Sequence, residues 1–165
     1  MMADPVQGRN HGVVRRACMA GVVVLMFALT SCRAGVRFGT GTVTIRTASG
    51  PVRLAAQIAD SDAARQRGLM NRRSLGPDSG MVFLFDGPTS VGFWMKDTLI
   101  PLDIAYWTPG GRIVAIRRMV PCRSEPCRLY SPGQAYVGAV EVNAGFFADH
   151  GVRLGDIVRL LRAPH

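Results

Sequence analysis

Apolar and polar residues alternate in short stretches along most of the chain beyond residue 41. In the first stretch Val43 and Ile45 fall on one side and threonines on the other, which is the period of a half-buried β-strand. Glycine- and proline-containing turns such as 108–111 separate the stretches. The pattern predicts about eight strands, at residues 42–47, 52–59, 81–85, 93–97, 102–106, 112–120, 134–142 and 155–161.

One stretch has the features of a helix. Ser61 is a residue type that caps helix N-termini, and the carboxylate of Asp62 in the first turn suits the helix dipole. Residues 63–67 are good helix formers, and Gly68 can end the helix. One further helical turn, capped by Asn143, is compatible with the residues that follow it.

These elements predict a mostly β fold with one short helix near 61–68. We expect a single compact domain of sandwich or barrel type at residues 42–162.

The first 31 residues have a different composition. Arg9, Arg15 and Arg16 precede an apolar run at 17–29. That run has the length of the apolar region of a signal peptide and is short for a membrane span. We therefore expect residues 1–31 to be a signal peptide.

The apolar run ends in Leu29-Thr30-Ser31-Cys32, which resembles the lipobox of bacterial lipoproteins. The resemblance implies cleavage before Cys32 and a lipid of the palmitate kind on its sulfur, with 32–41 as a tether. Two or more acyl chains anchor a protein stably. We expect a chain anchored in the cell envelope, on the outer side of the cytoplasmic membrane or in the periplasm. An ordinary secretory signal and an uncleaved anchor are the alternatives.

Two further cysteines, Cys122 and Cys127, lie in a loop with Pro121 and Pro126. In an exported protein such a pair predicts a disulfide that ties a local loop. A redox or metal-binding pair is the alternative, and a spacing of two intervening residues would favour it more than the spacing found here.

The chain is basic, with a formal net charge of +9. Removal of residues 1–31 takes away three arginines and Asp4, and leaves +7. The arginines are scattered singly or in pairs and not in a run, and a basic face would suit an anionic membrane surface or an envelope component such as a wall polymer as partner. We see no nucleic-acid-binding motif and expect no nucleic acid as partner. The sequence does not indicate an oligomeric state.

Residues 91–107 hold both tryptophans and the only lysine, Lys96. If residues 98–101 form a four-residue loop, the flanking segments pair as a hairpin. One face is then apolar and faces the core, with Phe93, Met95, Ile104 and Tyr106. The other face carries Trp94, Lys96, Asp103 and Ala105, and Lys96 opposes Asp103 across the strands.

Two interpretations of the second face compete. In the first, Lys96 and Asp103 form a surface ion pair worth at most about 1 kcal/mol, shielded by Trp94. In the second, Trp94 is the wall of a pocket in which Lys96, Asp97 and Asp103 are polar contacts. The use of a lysine in a chain dominated by arginine is an argument for the pocket, but the surface ion pair remains the favoured interpretation.

Several segments in order resemble the DUF192 family of uncharacterised bacterial and archaeal proteins: Arg67-Gly68-Leu69-Met70, residues 80–85, residues 93–103, Glu141-Val142-Asn143-Ala144-Gly145 and Gly155-Asp156. The resemblance covers about 43–161. It implies a compact, mostly β, sandwich-like domain that is often exported, and it implies no established reaction. Asp97 stands where the family more often has asparagine.

Most enzyme signatures are absent from the sequence. It has no P-loop, no GxGxxG and no GxSxG, and after residue 31 only His150 and His165 remain as histidines. We therefore expect no cofactor and no metal site. Met70, Met81 and Met95 are more typical of core filling than of copper ligation, and copper is the alternative.

The candidate ligand-binding residues are Trp94, Lys96, Asp97, Asp103, Arg67, Glu141 and Asn143. Two hypotheses follow. The first is a non-catalytic envelope lipoprotein whose β domain binds a small ligand or a partner. The second is an envelope hydrolase that uses Asp103 or Glu141 with Lys96. A concave site with both carboxylates near Lys96 would favour the hydrolase.

Overall fold

Nine strands and two short helices make up residues 35–164, the part of the chain that this computed structural model describes. The predicted signal peptide, Cys32 and His165 lie outside the described residues. The strands are β1 (Gly39–Thr47), β2 (Gly50–Ala59), β3 (Ser79–Thr89), β4 (Phe93–Trp94), β5 (Leu102–Trp107), β6 (Ile113–Met119), β7 (Leu129–Tyr130), β8 (Tyr136–Asn143) and β9 (Ile157–Arg162). The helices are α1 (Asp62–Arg67) and α2 (Phe146–Asp149).

Seven strands form one sheet in the order β6-β5-β8-β3-β2-β1-β9, and β4 and β7 form a small second sheet. Neighbouring strands are antiparallel except β2 and β3, which are parallel. A parallel pair needs a long crossover, because the chain must return to the end at which it started. Here the crossover is the connection that carries α1.

The large sheet curls so that its two edge strands approach each other. Arg112 and Ile157 form an isolated antiparallel bridge, and the N–H of Val158 donates to the carbonyl of Gly111 at 2.8 Å. The ladder is not continuous, so the sheet does not close into a barrel. The prediction of a mostly β domain is confirmed.

Apolar side chains cover both faces of the sheet. On β8, Val140 and Val142 belong to one buried cluster and Ala139 to the other, because successive side chains of a strand point to opposite faces. The first cluster includes Phe146 and Phe147 of α2. The second is covered by segments outside the large sheet, which contribute Leu69, Met95 and Tyr130.

The predicted helix is confirmed. The hydroxyl of Ser61 accepts a hydrogen bond from the N–H of Ala64 at 3.3 Å, and Gly68 ends the helix at a positive φ of 44°. The second helical turn exists, but Asn143 does not cap it. Its N-cap is Gly145, and the Asn143 amide instead donates to the carbonyls of Leu75 and Gly76.

The predicted central hairpin is wrong. β4 pairs with β7, a strand that we did not predict, whereas β5 pairs with β6 and β8. Every residue of β5 is buried, which suits an inner strand with a partner on each side. Before β5, the backbone of Asp97 adopts a positive φ of 54°, and its carbonyl accepts a hydrogen bond from Asn71. The backbone therefore does not fold back in the way that would pair β4 with β5.

The two predicted faces of that hairpin have different outcomes. Met95, Ile104 and Tyr106 are buried together and Phe93 packs against them, as predicted for the core face. The face predicted to join Trp94, Lys96, Asp103 and Ala105 does not exist. Asp103 and Ala105 are buried, and Asp103 pairs with Arg118, whereas Lys96 pairs with Glu125.

Candidate functional site

A cavity of about 450 Å³ opens beside β4. Its size lies in the range of small-molecule sites, roughly 300–1,000 Å³. α1 and the turn after it contribute Asp62, Arg65, Gln66, Arg67, Gly68, Leu69 and Met70. The other lining residues are Phe83, Phe85, Val91, Gly92, Phe93, Trp94, Thr98, Leu129 and Glu141.

Aromatic side chains from two sheets form the walls of this cavity. Phe83 and Phe85 are alternate residues of β3 and therefore point to the same face, towards β4. The rings of Phe83 and Phe93 meet edge to face with centroids 4.9 Å apart, and Phe85 meets Tyr136 similarly at 5.4 Å. Such contacts favour one arrangement of the rings, so the walls are formed without a ligand.

Two buried tyrosines attach β7 and the residues before β4 to the large sheet. These two segments form the outer wall of the cavity. The hydroxyl of Tyr106 donates to the carbonyl of Tyr130 on β7 at 2.8 Å, and that of Tyr136 donates to the carbonyl of Val91 at 2.6 Å. Burial raises the pKa of both phenols above the usual range. Both therefore stay protonated, and they fix β7 and the approach to β4 against the large sheet.

Glu141 forms the floor of the cavity. Only 5% of this residue is exposed, and its neighbours on the adjacent strands, Met81 and Ile104, are apolar. Burial alone raises the pKa of its carboxyl group to about 8. Within residues 35–164 no side chain or backbone group hydrogen-bonds to this carboxyl. A mostly protonated carboxyl thus faces the cavity at neutral pH.

The mouth of the cavity carries two arginines of α1 in different states. Arg65 is engaged: it pairs with Asp62 at 2.6 Å, donates to the carbonyl of Leu84 at 2.7 Å and lies over the ring of Phe85. Arg67 is exposed and forms no ion pair with any of residues 35–164. One guanidinium at the mouth is therefore available to a ligand.

Of the predicted site residues, Trp94, Arg67 and Glu141 line the cavity together. Lys96 lies next to it, with its Nζ 5.8 Å from the ring centroid of Trp94 and 2.6 Å from the carboxylate of Glu125. The ion pair raises the pKa of Lys96 and lowers that of Glu125. Because both side chains are well exposed, we expect this pair to contribute little to stability.

Of the other predicted residues, Asp103 stabilises the opposite face of the sheet. Asp103 accepts from the N–H of Gly145 at 2.8 Å and pairs with Arg118. Asp103 and Glu141 belong to opposite faces of the sheet, because Asp103 aligns with Val142 in the register. The structure therefore does not place Asp103, Glu141 and Lys96 in one site, which is the arrangement that would favour the hydrolase hypothesis.

The apolar lining of the cavity is not predicted from the sequence. Phe83, Phe85 and Leu129 are ordinary apolar residues in the sequence, and only the pairing of β4 with β7 brings them around one space. The alternation of phenylalanines in β3 indicates a shared face, but it does not distinguish a cavity wall from a core.

The predicted disulfide between Cys122 and Cys127 is present. Its loop also carries Glu125, the partner of Lys96, and the N–H of Cys122 donates to the carbonyl of Met95 at 3.3 Å. The disulfide thus ties the loop that leads into β7, as expected of a local crosslink.

Within residues 35–164 no three His, Cys, Asp or Glu side chains are grouped as a metal site would require. Met81 and Met95 are buried in the core. Neither helix described has the length and apolarity needed to span a bilayer.

A family model described as Uncharacterized ACR, named DUF192, matches residues 43–160 and so includes the whole cavity lining. The chain belongs to the DUF192 family. No curated protein matches the chain. The DUF192 assignment therefore supplies no reaction.

Two solved structures are similar to this DUF192 chain. One is a Sinorhizobium meliloti 1021 protein provisionally described as a transcription regulator, with 34% identity, a TM-score of 0.71 and coverage of 76% of this chain and 97% of that one. The other is a Novosphingobium aromaticivorans DSM 12444 protein of unknown function, with 30% identity, a TM-score of 0.68 and coverage of 78% and 89%.

Proposed function

We propose that this DUF192 domain binds a small, mostly apolar ligand in the cavity beside β4, with Glu141 as the hydrogen-bonding group at the floor. The observation that carries the proposal is a buried carboxyl group without a partner among the described residues, facing a space with aromatic walls. The carboxyl group opens onto the cavity, and a small number of polar groups in a mostly apolar lining is what fixes the orientation of a bound ligand.

The protonation state of Glu141 decides which ligand atom it prefers. Its pKa is raised to about 8 by burial, so at neutral pH it is mostly a neutral acid with an O–H donor. That form suits a carbonyl or ether oxygen of the ligand. Above pH 8 the donor is lost and a charge is added, so we expect the affinity for a neutral ligand to fall.

Nile red, a neutral apolar dye with a carbonyl group, provides the test. We expect the full chain to enhance its fluorescence at pH 6–7, with an affinity that falls several-fold between pH 7 and 9. The Glu141→Gln variant keeps a donor that does not titrate, so its affinity should stay flat over the same pH range.

A pair of exposed leucines provides the matched control. Leu129 is 65% exposed and lines the cavity, whereas Leu161 is 75% exposed on β9 and does not. We expect Leu129→Ala to weaken Nile red binding and Leu161→Ala to leave it unchanged. Equal effects of the two variants, or a Glu141→Gln variant with the pH dependence of the unchanged chain, would contradict binding in this cavity.

We propose further that the chain is held in the cell envelope by lipid on Cys32. The basic and apolar segment at 1–31 and the lipobox-like sequence before Cys32 support this. In a bacterial host we expect the full chain to fractionate with membranes and to incorporate an alkyne-labelled palmitate. The Cys32→Ser variant should lose the label, and Cys122→Ser is the control that should retain it. Labelling of Cys32→Ser would show that the proposal is wrong.

A further inference from the structure

The charges around the cavity differ between its mouth and its floor. At the mouth, the positive charge of Arg65 is offset by Asp62, while Arg67 has no partner among residues 35–164. At the floor, the only acidic group is Glu141, and burial keeps it mostly neutral at pH 7. The lining therefore presents one net positive charge to an entering ligand, at the solvent end.

An organic cation is the main competitor for such a site, because aromatic walls and a carboxylate are suited to amines. Two features of this cavity oppose it. A cation would meet the positive guanidinium of Arg67 in the lining, and Glu141 would have to ionise in apolar surroundings between Met81 and Ile104. In addition, one aromatic face is already occupied, since Arg65 lies over Phe85 at 5.2 Å.

We infer that the ligand is a single-chain anionic amphiphile, whose apolar chain lies against the aromatic walls that include Phe83 and Phe93 and whose acidic group is held at the mouth by Arg67. This inference rests on the proposed function, because it names the class of ligand for the same cavity. An oxygen atom at the far end of the chain would add the contact with Glu141.

Three probes with the same eight-carbon chain separate the possible classes: octanoate, octan-1-ol and octylamine. Their binding to the full chain is measured at pH 7 by isothermal titration calorimetry. An exposed ion pair is worth at most about 1 kcal/mol, or roughly a fivefold change in affinity. We therefore expect octanoate to bind up to about fivefold more tightly than octan-1-ol, with octylamine weakest.

Two arginine variants locate the charge effect. Arg67→Ala should reduce octanoate affinity to that of octan-1-ol and leave the alcohol unchanged. Arg53→Ala removes an exposed arginine of β2 that does not line the cavity, and it should change neither affinity. Octyl phosphate, titrated beside octanoate, distinguishes a phosphate head from a carboxylate head, and tighter binding of either supports the inference.

The outcomes separate this inference from the proposed function. If none of the probes binds, the proposed function itself fails. Equal binding of all probes, or an Arg67→Ala variant with full octanoate affinity, leaves an apolar cavity but overturns the anionic ligand. Tightest binding of octylamine, strengthening as the pH rises through 8, would assign the site to cations instead.

Discussion

At pH 9 the Glu141→Gln variant should have a free energy of unfolding up to about 5 kcal/mol higher than that of the unchanged chain. Burial raises the pKa of Glu141 from 4.5 to about 8. Between these values the folded protein holds a proton that the unfolded chain has released. Stability is therefore lost as the pH rises from about 4.5 through 8, and glutamine, which stays neutral, avoids this loss.

Urea unfolding of both proteins at pH 4, 7 and 9 measures the effect. The two free energies should agree within about 1 kcal/mol at pH 4, where Glu141 is protonated in both states. Glu125→Gln is the control, because Glu125 is exposed and its pKa is lowered by Lys96. It should show no gain at high pH. If the Glu141→Gln and unchanged proteins lose stability in parallel, Glu141 is not a buried neutral acid.

Replacing Asp103 by alanine should lower the free energy of unfolding by about 2–4 kcal/mol. Asp103 is 4% exposed and joins β5 both to Arg118 on β6 and to the backbone N–H of Gly145 before α2. Alanine leaves that N–H without its acceptor. Asparagine keeps an acceptor oxygen and loses only the charge, so Asp103→Asn should be less destabilising.

Double-mutant cycles distinguish the observed partner of Asp103 from the one that the sequence suggested. Chemical denaturation of single and double variants should give a coupling energy between Asp103 and Arg118, and none between Asp103 and Lys96. Lys96→Ala alone should change the free energy of unfolding little, because its pair with Glu125 is exposed. A clear coupling of Asp103 with Lys96 would contradict the strand pairing described here.

Patterns among neighbouring residues are enough to predict where most of the strands and helices lie. The alternation of Val43 and Ile45, and the capping residues Ser61 and Gly68, depend on neighbours within a few positions, and β1 and α1 form where they predict. β7 is only two residues long, too short to show the alternation of apolar and polar residues that predicts a strand.

The pairing of strands was harder to predict because it depends on distant segments. The predicted hairpin pairs residues by their distance from the loop at 98–101. This requires that strands adjacent in the sequence pair with each other. The residues of β5 contain evidence against a simple hairpin, since Ile104 and Tyr106 on one face and Ala105 and Trp107 on the other are all hydrophobic. A strand that is buried on both faces is typical of the interior of a sheet.

The candidate site was predictable only in part for the same reason. Trp94, Arg67 and Glu141 are three of the seven predicted ligand-binding residues, and the structure brings them to one cavity. The burial of Glu141 depends on its position between β3 and β5, which are far from β8 in the sequence. Its raised pKa, the property that defines the site chemically, is therefore a product of the tertiary fold.

The pairing of β1 with β9 has a consequence for how the domain is made. Residues 41–46 complete their hydrogen bonds only with residues 157–162, near the opposite end of the domain. Contacts between such distant residues carry a large loop-closure entropy and slow the search for the native topology. A chain emerging progressively from a ribosome or a translocation pore thus holds β1 with one edge unpaired until almost the whole domain has appeared. During that interval the open edge of β1 is a surface on which another chain can pair.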